Sequence, residues 1–124
     1  MEKKFLRLND IDAYIISKLS NYLWNIVINW DYFAKDTIGK QFIRAVDSIS
    51  ANLAEGFGRY NKKDKIKFFH YSYASIIESL DWNEKAKKRN LLNQEQYNYI
   101  FQELKKLPKL TNQLIQFINQ KLQQ

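Results

Sequence analysis

The 124 residues predict an all-α fold, a single-domain antiparallel up-down-up-down four-helix bundle. Three observations lead there. Glycine and proline are scarce, at three and one, and so few punctuators leave long stretches free to stay helical. Apolar residues recur at three- and four-residue steps in four successive segments, the spacing of one helix face. The breaks between segments are short, which makes consecutive helices antiparallel neighbours. A chain of this length has room for one domain with one core, spanning 1–124.

The first helix is expected over about 10–33. Asn9 or Asp10 caps its free amides, and Leu8, Ile11, Ile15, Leu19, Tyr22, Ile26 and Trp30 form its inner stripe. The second, 37–56, is capped by Asp36 or Thr37 and turns Ile38, Phe42, Ala45, Val46, Ile49 and Leu53 inward. Gly56-Phe57-Gly58 ends it, with glycine taking the left-handed conformation that closes a helix. The third, 62–90, starts near Lys62 to Asp64 and carries Ile66, Phe69, Tyr73, Ile76, Ile77 and Leu80 inward. Basic side chains around Arg89-Asn90 complement its negative end. The fourth, 93–122, is capped by Asn93 and has Tyr97, Ile100, Leu104, Leu107, Leu114, Ile118 and Leu122 on its stripe. Pro108 removes a backbone hydrogen bond there, so a kink or a short break is expected near it.

Apolar residues make up 45% and charged residues 27%, ordinary values for a soluble globular protein. With no cysteine, disulfides and thiolate metal sites are excluded. No apolar run follows the charged start Glu2-Lys3-Lys4, so no signal peptide is read. Ile26-Val27-Ile28 lies among Asn25, Asn29 and Asp31, too short and too polar for a membrane span. A cytoplasmic protein is expected. The formal charge is +7, and residues 56–124 carry all of it. Such an excess suits a polyanionic partner, although abundant Lys, Asn, Ile, Tyr and Phe also fit an AT-rich coding bias.

The third helix carries a second row, Phe68, Ser72, Ser75, Ser79, Trp82 and Ala86, bordered by Tyr71. Small residues framed by aromatics are the pattern of a close helix–helix seam, and a monomeric bundle needs only one apolar stripe per helix. A subunit interface through Phe68, Tyr71, Ser75 and Trp82 is therefore expected, with cover from the fourth helix or the 57–62 loop as the alternative. Arg44, Ser48, Asn52 and Glu55 recur along the second helix. They are either a solvated face or part of the same interface, where Glu78 is a mate for a basic group.

Arg44-Ala45, Ser48-Ile49, Asn52, Ala54-Glu55-Gly56 and Arg59 resemble the signature of the four-helix-bundle proteins encoded by intervening sequences in bacterial 23S ribosomal RNA genes. That family usually reads Ser-Ile-Pro-x-Asn-Ile-Ala-Glu-Gly; here Ser50 stands for the proline and Leu53 for the isoleucine. Ala74-Ser75-x-x-Glu78 is similar to the family's Gly-Ser-x-x-Glu. The resemblance implies a four-helix bundle assembled into a ring, usually a homopentamer, with no known catalysis. A distantly similar bundle, the accessory protein of diversity-generating retroelements, forms a basic pentamer that binds nucleic acid and a reverse transcriptase.

An enzyme is not expected. The one histidine, His70, has Lys67 three residues before it, so the Glu-x-x-His pairs of di-iron bundles are missing. It reads as a packed or half-exposed side chain. Gly56-x-Gly58 lacks the third glycine and the preceding strand of a dinucleotide loop. No catalytic, cofactor-binding or metal-ligating residue is assigned. The leading expectation is a non-catalytic homo-oligomer that binds nucleic acid, as structured RNA or a ribonucleoprotein. Its contacts would be basic groups at the ends of the third helix: Arg59, Lys62, Lys63, Lys65 and Lys67 at one, Lys85, Lys87, Lys88 and Arg89 at the other. Lys105, Lys106 and Lys109 form a third group around Pro108. Such residues touch phosphates without reading bases, while Tyr60 offers one face for stacking. The alternative is a protein-interaction scaffold that binds no nucleic acid and uses the seam or the outer aromatics Trp24, Phe101 and Phe117.

Overall fold

The computed structural model describes residues 13–121 and the side chains of 16–120. Every regular element among them is helical. Helix α1 (Ala13–Val27) is followed by a single α-helical turn (Tyr32–Ala34) and a π-helical turn (Lys35–Gly39), which run into α2 (Lys40–Gly58). Then come α3 (Lys62–Lys88), α4 (Gln94–Lys105) and α5 (Leu107–Lys121). The last two occupy the expected fourth segment, with Lys106 between them. Pro108 lies in the first turn of α5, where a missing amide hydrogen costs nothing. The most extensive packing is α2 on α3; α1 lies against α2 and α4, and α3 also meets α4 and α5. One core threads all five helices, from Leu19 and Leu23 through Phe42, Ile49 and Phe69 to Leu104 and Leu114.

The first connection differs from expectation. The chain leaves α1 at Val27, and the amides of Asn29 and Trp30 turn back to the carbonyls of Ile26 and Val27 at 3.1 and 3.0 Å. Asp31, in extended conformation, then accepts from the Ala34 amide at 2.9 Å and starts the next helical segment. It is the cap in place of Asp36 or Thr37. Thr37 instead donates to the Phe33 carbonyl at 2.7 Å within the helix, and Asp36 stands 3.9 Å from Lys40. The inner face of α1 is also turned by about one position from the expected stripe. Ile16, Leu19, Leu23 and Val27 are buried, while Tyr22, Ile26 and Trp30 are half-buried. Both registers are apolar in this helix, and contact with α2 and α4 selects between them. The expected caps Asn9 and Asp10, and the side chains of Leu8, Ile11, Ile15 and Leu122, lie outside the described residues.

The stripe expected for the second helix is buried throughout: Ile38 in the π-helical turn, then Phe42, Ala45, Val46, Ile49 and Leu53 in α2. Its terminal glycines do a different job from the expected one. None of the described glycines has positive φ, and the helix runs through Gly58 until Arg59 turns extended. Gly56 is there for closeness. A Cβ on it would stand 2.5 Å from Cε1 of Phe69 and 2.8 Å from Cδ1, whereas one on Gly58 would meet open space. Gly56→Ala should therefore destabilise by a net ~1–2 kcal/mol, overpacking outweighing the gain in helix propensity. Gly58→Ala should be neutral or slightly stabilising. Urea midpoints of the two variants test this, and an unchanged midpoint in Gly56→Ala would refute it.

Helix α3 buries Phe69 and Ile76 of the expected inner stripe, but its inward face is rotated toward the serine row. Its buried positions are Phe69, Ser72, Ile76, Ser79, Asn83 and Ala86. Ser72, Ser79 and Ala86 of the second row thus lie in the inner seam of the protomer itself, while Ser75 is half-buried at its edge. Ile66, Tyr73 and Leu80 are only half-buried, and Ile77 is 47% exposed. Serine suits this seam because it is small and its hydroxyl finds a backbone acceptor. Ser72 donates to the Ile49 carbonyl of α2 at 2.8 Å, and Ser79 to the Ser75 carbonyl at 2.7 Å. A buried hydroxyl bonded in this way carries little desolvation penalty. His70 is exposed.

Asn61 caps α3 by accepting from the Asp64 amide at 2.8 Å. At the other end Asn90, at φ 61°, takes the left-handed conformation. The Leu91 amide reaches the Ala86 carbonyl at 2.9 Å and that of Asn90 the Lys87 carbonyl at 3.1 Å, a Schellman closure. Helix α4 opens with a capping box between Asn93 and Gln96. It is tied to α3 by Asn83, which donates to the Tyr97 carbonyl at 3.3 Å. The Tyr97 hydroxyl donates to the Glu84 carboxylate, and that bond, helped by burial, holds the phenol above its usual value near 10.

Candidate functional site

With Ser72 and Ser79 buried, the surface beside them becomes the place to look. Where the edges of α2 and α3 meet, Gln41, Arg44, Ala45 and Ser48 face Ser75 and Glu78 across a polar cleft of about 270 Å3. Local bonds hold its walls. Ser75 donates to the Tyr71 carbonyl at 3.1 Å, and Trp82 Nε1 donates to Glu78 at 3.1 Å. One turn on from Ser48, Asn52 donates to the Ser48 carbonyl at 2.9 Å. Beyond it Glu55 pairs with Arg59 at 2.7 Å, and Arg59 lies 4.5 Å over the ring of Phe68. Phe68 in turn meets Tyr71 edge-on at 5.4 Å. Arg44 and Glu78 line the same cleft, but no ion pair joins them among the described residues.

The residues of this cleft come from two stretches of sequence, Gln41 to Ser48 and Ser75 to Glu78, which the packing of α2 on α3 brings together. The family model described as the 23S rRNA-intervening sequence protein matches residues 15–113. The chain belongs to this family. No curated protein and no solved structure matches it.

In this intervening-sequence protein the basic groups fall into two kinds. Several brace the fold. Lys62 donates to the Asn119 carbonyl at 3.1 Å, Lys65 to the Phe57 carbonyl at 3.2 Å, and Arg59 pairs with Glu55. Lys85 pairs with Asp81 and lies 4.8 Å over Trp82, and Lys106 pairs with Glu103 at 3.2 Å. Others lie open to solvent: Lys63, Lys88, Arg89 and Lys109 are exposed and Lys87 is half-buried, while exposed Lys67 sits 5.9 Å over the ring of Tyr71. Partly exposed pairs contribute about 0–1 kcal/mol each, so even the paired groups can exchange a carboxylate for a phosphate.

Of the expected outer aromatics only Trp24 is exposed. Phe101 stacks on Tyr97 with centroids 6.0 Å apart, and Phe117 packs against the core. Trp24 stays 53% exposed, as does Tyr60 almost completely. The sequence reading missed Tyr32 and Phe33, which are 77% and 76% exposed. Reading them as the tail of the first helix hid them, although the Asp31-Tyr32-Phe33-Ala34 run carries a usable cap signal. Among the described residues no three His, Asp or Glu side chains group as metal ligands, and no helix is long and apolar enough to cross a membrane.

Proposed function

We propose that this family member is a non-catalytic, cytoplasmic homo-oligomer that binds nucleic acid, as structured RNA or a ribonucleoprotein, through the basic groups at the ends of α3. Its helices run up-down-up-down, the fourth segment bends at Pro108, and copies close into a ring of five, as the family resemblance implies. The observation that supports this best is the charge. All of the +7 excess lies in residues 56–124, and Lys63, Lys67, Lys88 and Arg89 are exposed there. Repetition around a ring turns weak phosphate contacts into avidity.

The subunit contact is assigned to the α2–α3 edge: Arg44, Asn52, Glu55, Phe68, Tyr71, Ser75, Glu78 and Trp82. Tyr71 is exposed beside the polar cleft, so Tyr71→Glu is the informative variant. Trp82 leans on the core, and its loss would confound folding with assembly. Light scattering should give a multiple of 14.9 kDa for the wild type, and a single-protomer mass with unchanged helicity for Tyr71→Glu. A monomeric wild type would remove the ring. RNA affinity should fall with salt at a log–log slope of about −0.7 to −0.9 per phosphate contact. RNA left unbound at low salt would turn the reading to the scaffold, which exposed Trp24 on α1 and Ile28 just after it favour.

A further inference from the structure

At the far end of α3 from the cap Asn61, a second hollow of about 390 Å3 is lined by Asp31, Phe33, Ala34, Thr37, Ile38, Arg89 and Leu91. Two unusual backbone features build it. On one side the segment entering α2 passes through the π-helical turn Lys35–Gly39, a feature that often marks functional sites. On the other the Schellman closure at Asn90 brings Leu91 back to the hollow beside Arg89. The volume lies near the lower end of the ~300–1,000 Å3 typical of small-ligand sites. Its walls are mostly apolar, with one cation and one carboxylate.

We infer that this hollow takes one unpaired nucleotide of a single-stranded or looped RNA, its base stacked on Phe33 and its phosphate on Arg89. The occupant is chosen by charge and exposure together. Phe33 and Tyr32 are more than three-quarters exposed, which water disfavours for aromatic rings with no partner. The last turn of α3 beside them carries Lys85, Lys87 and Lys88 ahead of Arg89. An aromatic platform next to a run of cations is how proteins hold single strands without a sequence code. Asp31 spends one oxygen on the Ala34 amide; its second oxygen is an acceptor for an amino group on a base edge. The inference rests on the nucleic-acid reading above and gives it a position and a strandedness.

The test compares a mixed-sequence 12-nucleotide RNA, as a single strand and as a duplex, by fluorescence anisotropy across a salt series. Phe33→Ala should weaken single-strand binding by about tenfold, the loss of one stacking platform. It should leave duplex binding and the salt slope unchanged, because no phosphate contact is lost. Arg89→Gln should lower the single-strand slope by about 0.7. Single-strand binding by Phe33→Ala equal to wild type would overturn the inference while leaving the general nucleic-acid reading intact. Wild type that binds neither form at low salt would remove both. A fall in molecular mass in Phe33→Ala, with RNA affinity kept, would assign the hollow to a second copy of the chain and overturn the nucleotide.

Discussion

Phe69→Ala should cost about 3–5 kcal/mol of folding stability, the range for emptying a buried aromatic site. Phe69 is fully buried and meets Phe57 at 5.2 Å between ring centroids. Its ring lies so close over Gly56 that no side chain fits between them. The last turn of α2 and the first half of α3 thus share one ring. Because α2 is too near to collapse further, the cavity should persist rather than close, which puts the loss toward the upper part of that range. Denaturant titration followed by circular dichroism measures it. A loss below about 1 kcal/mol would mean that this seam relaxes freely.

The second large effect is expected from Asn83→Asp. Asn83 is fully buried, donates to the Tyr97 carbonyl, and leaves its own carbonyl oxygen without a hydrogen-bond partner among the described residues. Aspartate would replace the donor with an oxygen facing that carbonyl, and would bury a charge with no counter-ion. Leaving a buried charge uncompensated in this way costs about 3–5 kcal/mol. The sign with pH follows. The folded state raises the new carboxyl above its unfolded value of about 3.9. The variant should therefore approach wild type near pH 4, where the group is protonated and can donate again. Its deficit should then grow as pH rises through the raised value. A deficit that stays constant from pH 4 to 8 would show that the site admits water or a cation.

Much of the helical layout is legible in the residues. The stripe of α2, the cap at Asn93 and the buried leucines of α4 and α5 follow from periodicity and capping chemistry. The cleft was half legible. Arg44, Ser48, Ser75 and Glu78 stand out as signature residues, yet only the packing of α2 on α3 places them around one space. The exposed Tyr32 and Phe33 were hidden by a boundary error of a few residues, the least dependable part of any periodicity reading. Their importance depends on Arg89 and Leu91, more than fifty positions later.

By itself the sequence determined that the chain is helical, where its charge lies, and which residues of α2 are buried. Local periodicity and net charge need no partner to be read. Tertiary structure alone decided which face of α3 turns inward and why Gly56 is a glycine. Hydropathy ranks serine as polar, but a small hydroxyl that reaches a neighbouring carbonyl can be buried at little cost. Whether such a carbonyl lies within 3 Å is a property of the approaching helix, so no pattern along α3 contains it.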